Sequence, residues 1–234
     1  MGGDLNDLML TISVMLLPLV LAITFHEAAH GFVAWRCGDD TAYRMGRVTL
    51  NPLRHIDPFG TIILPLLLRF ATGFAFGYAK PVPVNANRFR HYRRDMILVA
   101  AAGPGSNLLL AFLSALLLHV PQYLPDYAAS WASEMLGFSI MINVVLALFN
   151  MLPLLPLDGG RVLSALLPPH LSMAFQRTER YGMFILIGLL VILPMLGGQF
   201  GVDINILGWI LGPAYSYVGS MIGHLAGLDS LAYQ

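Results

Sequence analysis

Apolar stretches of about 20 residues, the length a helix needs to cross a bilayer, recur along this chain. They limit its fold more than any other feature. The runs fall at 6–35, 95–119, 133–152, 181–196 and 206–225. Charged residues make up only 11% of the sequence, against about 25% in average soluble chains, which argues against a soluble domain. The formal net charge is zero, so no global field favours nucleic acid or acidic partners. Cys37 is the single cysteine, which excludes an internal disulfide and a cysteine-based metal site and leaves a packing residue or an exposed thiol of no special role. The first apolar run lacks a basic flank and does not read as a cleaved signal peptide. No linker composition interrupts the chain, so 1–234 is expected to form one integral membrane domain.

Charge asymmetry orients the pieces, because short cytoplasmic loops are rich in Lys and Arg. The loops 36–57, 79–94 and 161–180 are basic, whereas 120–134 and 197–205 carry no Lys or Arg. The two basic loops flanking 59–78 conflict if that segment crosses the membrane. A re-entrant hairpin, entering and leaving on the cytoplasmic side, removes the conflict, and Pro65, Arg69, Gly73 and Gly77 suit irregular backbone buried by protein. The expected fold is an all-α polytopic membrane protein of about five to six transmembrane helices. A re-entrant hairpin and short strands, at 47–50 and 82–85, follow the first helix. The N-terminus is expected outside. Trp35, Trp131 and Trp209 fall near proposed span ends, as interfacial aromatics do.

Within the first apolar run stands His26-Glu27-Ala28-Ala29-His30. Positions four apart share a helix face, so His26 and His30 can offer two imidazoles to one metal ion, with Glu27 in reach of its water. The arrangement suits metal-assisted hydrolysis, since zinc lowers the pKa of bound water to about 7 and a carboxylate takes the proton. A catalytic zinc usually has three protein ligands. His55, His91, His119, His170 and His224 lie on no obvious convergent face. Asp158 is the better third ligand. Pro153 and Pro156 break the helix before it, and Gly159 and Gly160 free the backbone after it. The topology also brings Asp158 and the two histidines to a similar depth near the cytoplasmic face. The plainer alternative is that Asp158 caps the next helix, with Arg161 or a backbone amide as partner.

These pieces resemble the site-2 protease family of intramembrane zinc metalloproteases. The matching stretches are His26-Glu27-Ala28-Ala29-His30, then Ala102-Gly103-Pro104-Gly105-Ser106-Asn107, then Asn150 through Arg161, in the family's order. Asn51 to Pro58 and Lys80 to Asn85 look like its compact prokaryotic branch. The resemblance implies one Zn2+ per chain on His26, His30 and Asp158, with Glu27 as general base. It also implies hydrolysis of peptide bonds in or beside the transmembrane segment of a protein substrate, as in regulated intramembrane proteolysis. The setting is a lipid bilayer, taken as a prokaryotic plasma membrane, with the site towards the cytoplasm and no nucleic-acid partner. No peptide-binding (PDZ) insertion or nucleotide-sensing (CBS) domain is recognisable, so regulation by such parts does not carry over.

Other polar residues admit two readings each. The resemblance gives Asn150 a role in holding substrate or stabilising the oxyanion, and an interhelical hydrogen bond is the alternative. Asn107 reads as a packing and interhelical bonding residue, with direct chemistry as the alternative, and Asn143 reads as bonding a neighbouring helix. Arg54, His55 and Asp57 either line the mouth of the site, with His55 polarising a carbonyl, or form a solvated turn. An exposed strand at 82–85 would hold an unwound substrate by main-chain pairing. Three other functions compete. One is a transporter with His26, His30 and Asp158 on an ion path. Another is a binding-only relative. The third is a membrane zinc protease for soluble or lipidated proteins, which would more often recruit a Glu as third ligand.

Overall fold

The computed structural model describes residues 2–64, 67, 77–202 and 205–228. Its long elements are α1 (Gly2–Arg36), α2 (Tyr92–Leu117), α3 (Asp126–Asn150), α4 (Asp158–Leu166), α5 (Pro169–Gln176), α6 (Glu179–Gln199) and α7 (Ile206–Leu225). Four helices, within α1, α2, α3 and α6, are long and apolar enough to cross a membrane, and α7 stands where the fifth span was expected. The all-α polytopic expectation therefore holds. Four helix starts move outwards, to Gly2, Tyr92, Asp126 and Glu179. Helix α3 begins at Asp126 rather than 133, its acidic first turn suiting the positive end of the helix dipole. Helix α6 begins at Glu179 for the same reason.

Helices α1, α2 and α3 pack against one another, α4 lies on α2, and α7 lies on α3. Where α2, α3 and α7 meet, the buried residues are Ala111, Ala115, Val144, Ile222 and Ala226, and most are small. Small residues let helices approach closely where lipid supplies no hydrophobic drive. Large apolar side chains such as Leu16, Leu109 and Phe184 lie on the outside, while Thr24, Asn107 and Asn143 lie inside. That inverted arrangement suits a lipid surround. Cys37 packs with Ala34 and Val99. Burial raises its thiol above the ordinary range and Asp95 pushes the same way, so it stays neutral, as a packing residue should.

The expected strands are absent among the described residues. Residues 77–85 are extended but carry no ladder. Pro81 and Pro83 have no N–H to give one. Lys80 N–H donates to the His55 carbonyl at 2.9 Å, and other groups are taken by side chains. Val82 N–H donates to Glu27 Oε2 at 2.8 Å and Asn85 N–H to Asp39 Oδ2 at 2.6 Å. Arg47 donates to the carbonyl of Lys80 at 2.7 Å. Residues 47–50 bend rather than extend, and a helical turn, Thr41–Arg44, precedes them.

The segment 59–78 opens with a wide helical turn, Pro58–Ile63, capped by Asp57. Its ends meet: Tyr78 N–H donates to Gly60 O at 3.0 Å, and the Thr61 hydroxyl donates to Tyr78 O at 3.0 Å. The chain thus returns to the place it left. Most of the path between, residues 65–76 apart from 67, lies outside the described residues.

Asp39 is fully buried and pins the extended segment to the end of α1 through Asn85. Losing a buried acceptor costs about 1–3 kcal/mol. Asp39→Ala is therefore expected to speed limited proteolysis within 77–91 while α1, α2 and α3 stay protected. Proteolysis at the wild-type rate would show that the pin does not hold the segment.

Candidate metal centre

Helix α1 presents His26 and His30 on one face one turn apart, their rings edge to face at 4.7 Å and 82°. Their Nε2 atoms lie 3.1 Å apart. The third group arrives from the far end of α3. After Asn150 the chain turns through Pro153 and Pro156 and re-enters helix at Asp158, the first residue of α4. The turn is tight enough that a Cβ on Gly159 would fall 2.1 Å from the Met151 carbonyl oxygen, so glycine is required there. Asp158 does not cap α4, whose capping position is Leu157 with no side-chain bond. Its Oδ2 instead lies 3.2 Å from His26 Nε2 and 3.3 Å from His30 Nε2. Arg161 pairs loosely with Glu179, at 3.9 Å. The alternative of Asp158 as a cap is thus not what the structure holds.

The protonation pattern tests whether this group fits a metal. His26 Nδ1 faces Asn107 Oδ1 at 2.6 Å, and His30 Nδ1 faces the Val99 carbonyl at 2.7 Å. A carbonyl oxygen only accepts, so each Nδ1 carries the hydrogen and each Nε2 is left as a bare lone pair. The buried Asp158 Oδ2 receives no hydrogen bond. Three acceptors therefore face one point with no donor between them, an arrangement that a cation completes. Two imidazoles and a carboxylate, with their ligand atoms within 4.8 Å of one another, suit zinc.

Helix α2 lies directly behind the pair. A Cβ on Gly103 would sit 2.4 Å from His30 Nε2 and 2.6 Å from His26 Nε2. Only glycine lets α2 come this close, and sequence reading passed it over because its neighbours look like a packing motif. In front is a cavity of about 150 Å³ lined by His26, Glu27, His30, Asn150, Asp158 and Val82 among others.

Asn150 thus reaches the site. Its amide nitrogen donates to Leu146 O at 3.0 Å within its own helix, and the expected alternative of an interhelical bond is not found among the described residues. His55 does not reach the site. It is buried in its own loop, with Nε2 on the Thr49 carbonyl at 2.9 Å, while Asp57 caps the next turn. The main-chain substrate pairing expected at 82–85 loses two donors, since Val82 N–H is held by Glu27 and Asn85 N–H by Asp39.

A helical membrane protein with a His-His-Asp cation site beside a glutamate has the parts of a membrane zinc metalloprotease. Comparison with known proteins agrees. Residues 118–193 match the profile of Peptidase family M50. The protein called "Putative zinc metalloprotease YwhC" of Bacillus subtilis is 40% identical over 181 residues, covering 76% of this chain and 80% of its own. "Putative zinc metalloprotease Rip2" of Mycolicibacterium smegmatis is 32% identical over 185 residues, covering 77% of this chain and 67% of its own. "Putative zinc metalloprotease MJ0611" of Methanocaldococcus jannaschii is 28% identical over 158 residues, covering 68% and 73%. No solved structure matches the chain.

The chain belongs to peptidase family M50, the site-2 proteases. It is a multi-pass intramembrane zinc metalloprotease that works in a lipid bilayer. That membership decides against the ion-path and binding-only readings.

Gly103→Ala gains about 1 kcal/mol of helix propensity yet must displace both imidazoles. It is expected to lower zinc content by tenfold or more, on the order of the loss from disturbing ligand geometry, measured by atomic absorption after dialysis against zinc. Full zinc content in this variant would refute the close approach.

Proposed function

We propose that the enzyme hydrolyses peptide bonds in or beside the transmembrane segment of a membrane-protein substrate, as in regulated intramembrane proteolysis. His26, His30 and Asp158 hold one Zn2+, and Glu27 is the general base. One observation carries this reading. Three bare acceptors meet beside Glu27 in a cavity fed by the ends of apolar helices. A zinc ion held there supplies Lewis acidity and a water whose pKa is near 7.

The rest is done by the chain's own residues. Glu27 takes the proton of the attacking water and hands it to the leaving amine. Val82 N–H, on Glu27 Oε2 at 2.8 Å, keeps that carboxylate turned to one side of the cavity. Asn150, on the cavity wall, is assigned to orient the substrate carbonyl or its oxyanion. The basic loops put the site towards the cytoplasmic face of the plasma membrane. The whole chain, 1–234, acts as one catalytic domain.

The test is cleavage of a panel of single-span substrates by the purified protein in vesicles, with and without chelator. Glu27→Gln is expected to keep its zinc and to lose cleavage by a factor of about 10²–10⁴ or more. Asp158→Ala is expected to lose both. Asn150→Ala is expected to keep zinc and lower kcat. Cleavage by Glu27→Gln at the parental rate would remove Glu27 as the base. A chelator-resistant cut would remove zinc from the reaction, and activity confined to soluble peptides would reject the membrane substrate.

A further inference from the structure

Behind His26 runs a chain of buried amides that the catalytic reading does not use. Asn107 on α2 is fully buried and Asn143 on α3 is 1% exposed. Asn107 Nδ2 donates to the Ala22 carbonyl of α1 at 3.1 Å and to Asn143 Oδ1 at 2.8 Å. Asn143 Nδ2 in turn donates to the Ser139 carbonyl at 2.9 Å. Each amide thus has its NH2 against a backbone carbonyl, which accepts and never donates. Turning either amide over would set oxygen against oxygen in a buried site, so the orientation of both is fixed by α1 and α3. The one end left over is Asn107 Oδ1, and it points at His26 Nδ1 at 2.6 Å.

We propose that Asn107, backed by Asn143, is the positioning residue that holds His26 in its Nδ1-protonated tautomer, with the Nε2 lone pair aimed at the metal position. The inference rests on the zinc-site reading above and deepens it. The direction of the chain follows from its two backbone ends: Ser139 O and Ala22 O orient the amides, the amides leave an acceptor for Nδ1, and the proton on Nδ1 frees Nε2. His30 needs no such device, because the Val99 carbonyl plays the same part with backbone alone. The two imidazoles are therefore set by different means, one by the main chain and one by a side chain that substitution can remove.

The experiment is zinc affinity, measured by competition with a chromophoric chelator on the detergent-solubilised full chain, with the melting temperature of the metal-free protein taken alongside. Asn107→Leu removes the acceptor and is expected to weaken zinc by 10–100-fold, the usual effect of losing a partner behind a ligating histidine. Asn107→Asp keeps an oxygen for His26 Nδ1 and, with a proton on its other oxygen, donates to Asn143 Oδ1 as the amide nitrogen did. It is expected to bind zinc within about threefold of wild type, since the acceptor behind the ligating histidine is kept.

Ser114→Ala breaks another bond between the same two helices, the half-buried Ser114 Oγ to Ser139 Oγ contact at 2.7 Å, and is expected to leave zinc affinity unchanged. Equal affinity in Asn107→Leu and wild type overturns the proposal. So does equal weakening in Asn107→Leu and Asn107→Asp, or loss in Ser114→Ala as large as in Asn107→Leu, since either means general packing rather than an acceptor. Absence of zinc binding by the wild-type protein itself is distinguishable from all of these, and overturns the site together with the device behind it.

Discussion

A buried imidazole that turns one nitrogen to a metal must give the other nitrogen's hydrogen an acceptor, and in an apolar bundle water is not at hand to serve. One helix, α2, meets this need for both histidines. Val99, Gly103 and Asn107 stand four residues apart along it, on one face. The first gives a backbone carbonyl, the last a side-chain oxygen, and the middle one gives room. The separation of α1 and α2 is thereby fixed at the metal site. Helix α4, which brings Asp158, packs on the same α2. Two segments distant in sequence, α1 and α4, are thus registered against a single rod.

The extended segment before α2 completes the front of the site. It holds itself not by pairing with another strand but by donating to carboxylates on either side, Glu27 and Asp39. Two prolines keep it straight while removing the N–H groups a ladder would need. The result is a wall for the cavity whose backbone is tied to a catalytic candidate at one point and to the end of α1 at another.

Much of this was legible from residue types and spacing. Two histidines four apart in an apolar run, and one aspartate between helix-breaking prolines and paired glycines, leave few other ways to arrange a helical membrane protein. What escaped reading depended on contacts between segments. The valines of 82–85 suggested a strand, but which acceptor a lone N–H will find is not written in its own neighbourhood. Asn107 and Asn143 read correctly as interhelical bonding residues, yet nothing local said that one of them ends on His26. Gly103 looked like any small residue of a packed helix, because the atoms it must clear belong to α1. His55 drew notice as a candidate and proved to be folded into its own loop.

The spread of the proposed ligands has a thermodynamic meaning. His30 and Asp158 are separated by more than half of the chain, and the three groups converge only when α1, α2 and α4 are assembled. A cation bound there recognises the native arrangement and not the unfolded chain. At free metal about a hundred times its dissociation constant, such linkage adds roughly 2.7 kcal/mol to the folded state, a sizeable part of the 5–15 kcal/mol typical of a native protein. Metal supply then sets not only how many molecules can react but how long each one persists, and a cell short of zinc would hold a less durable enzyme as well as an idle one.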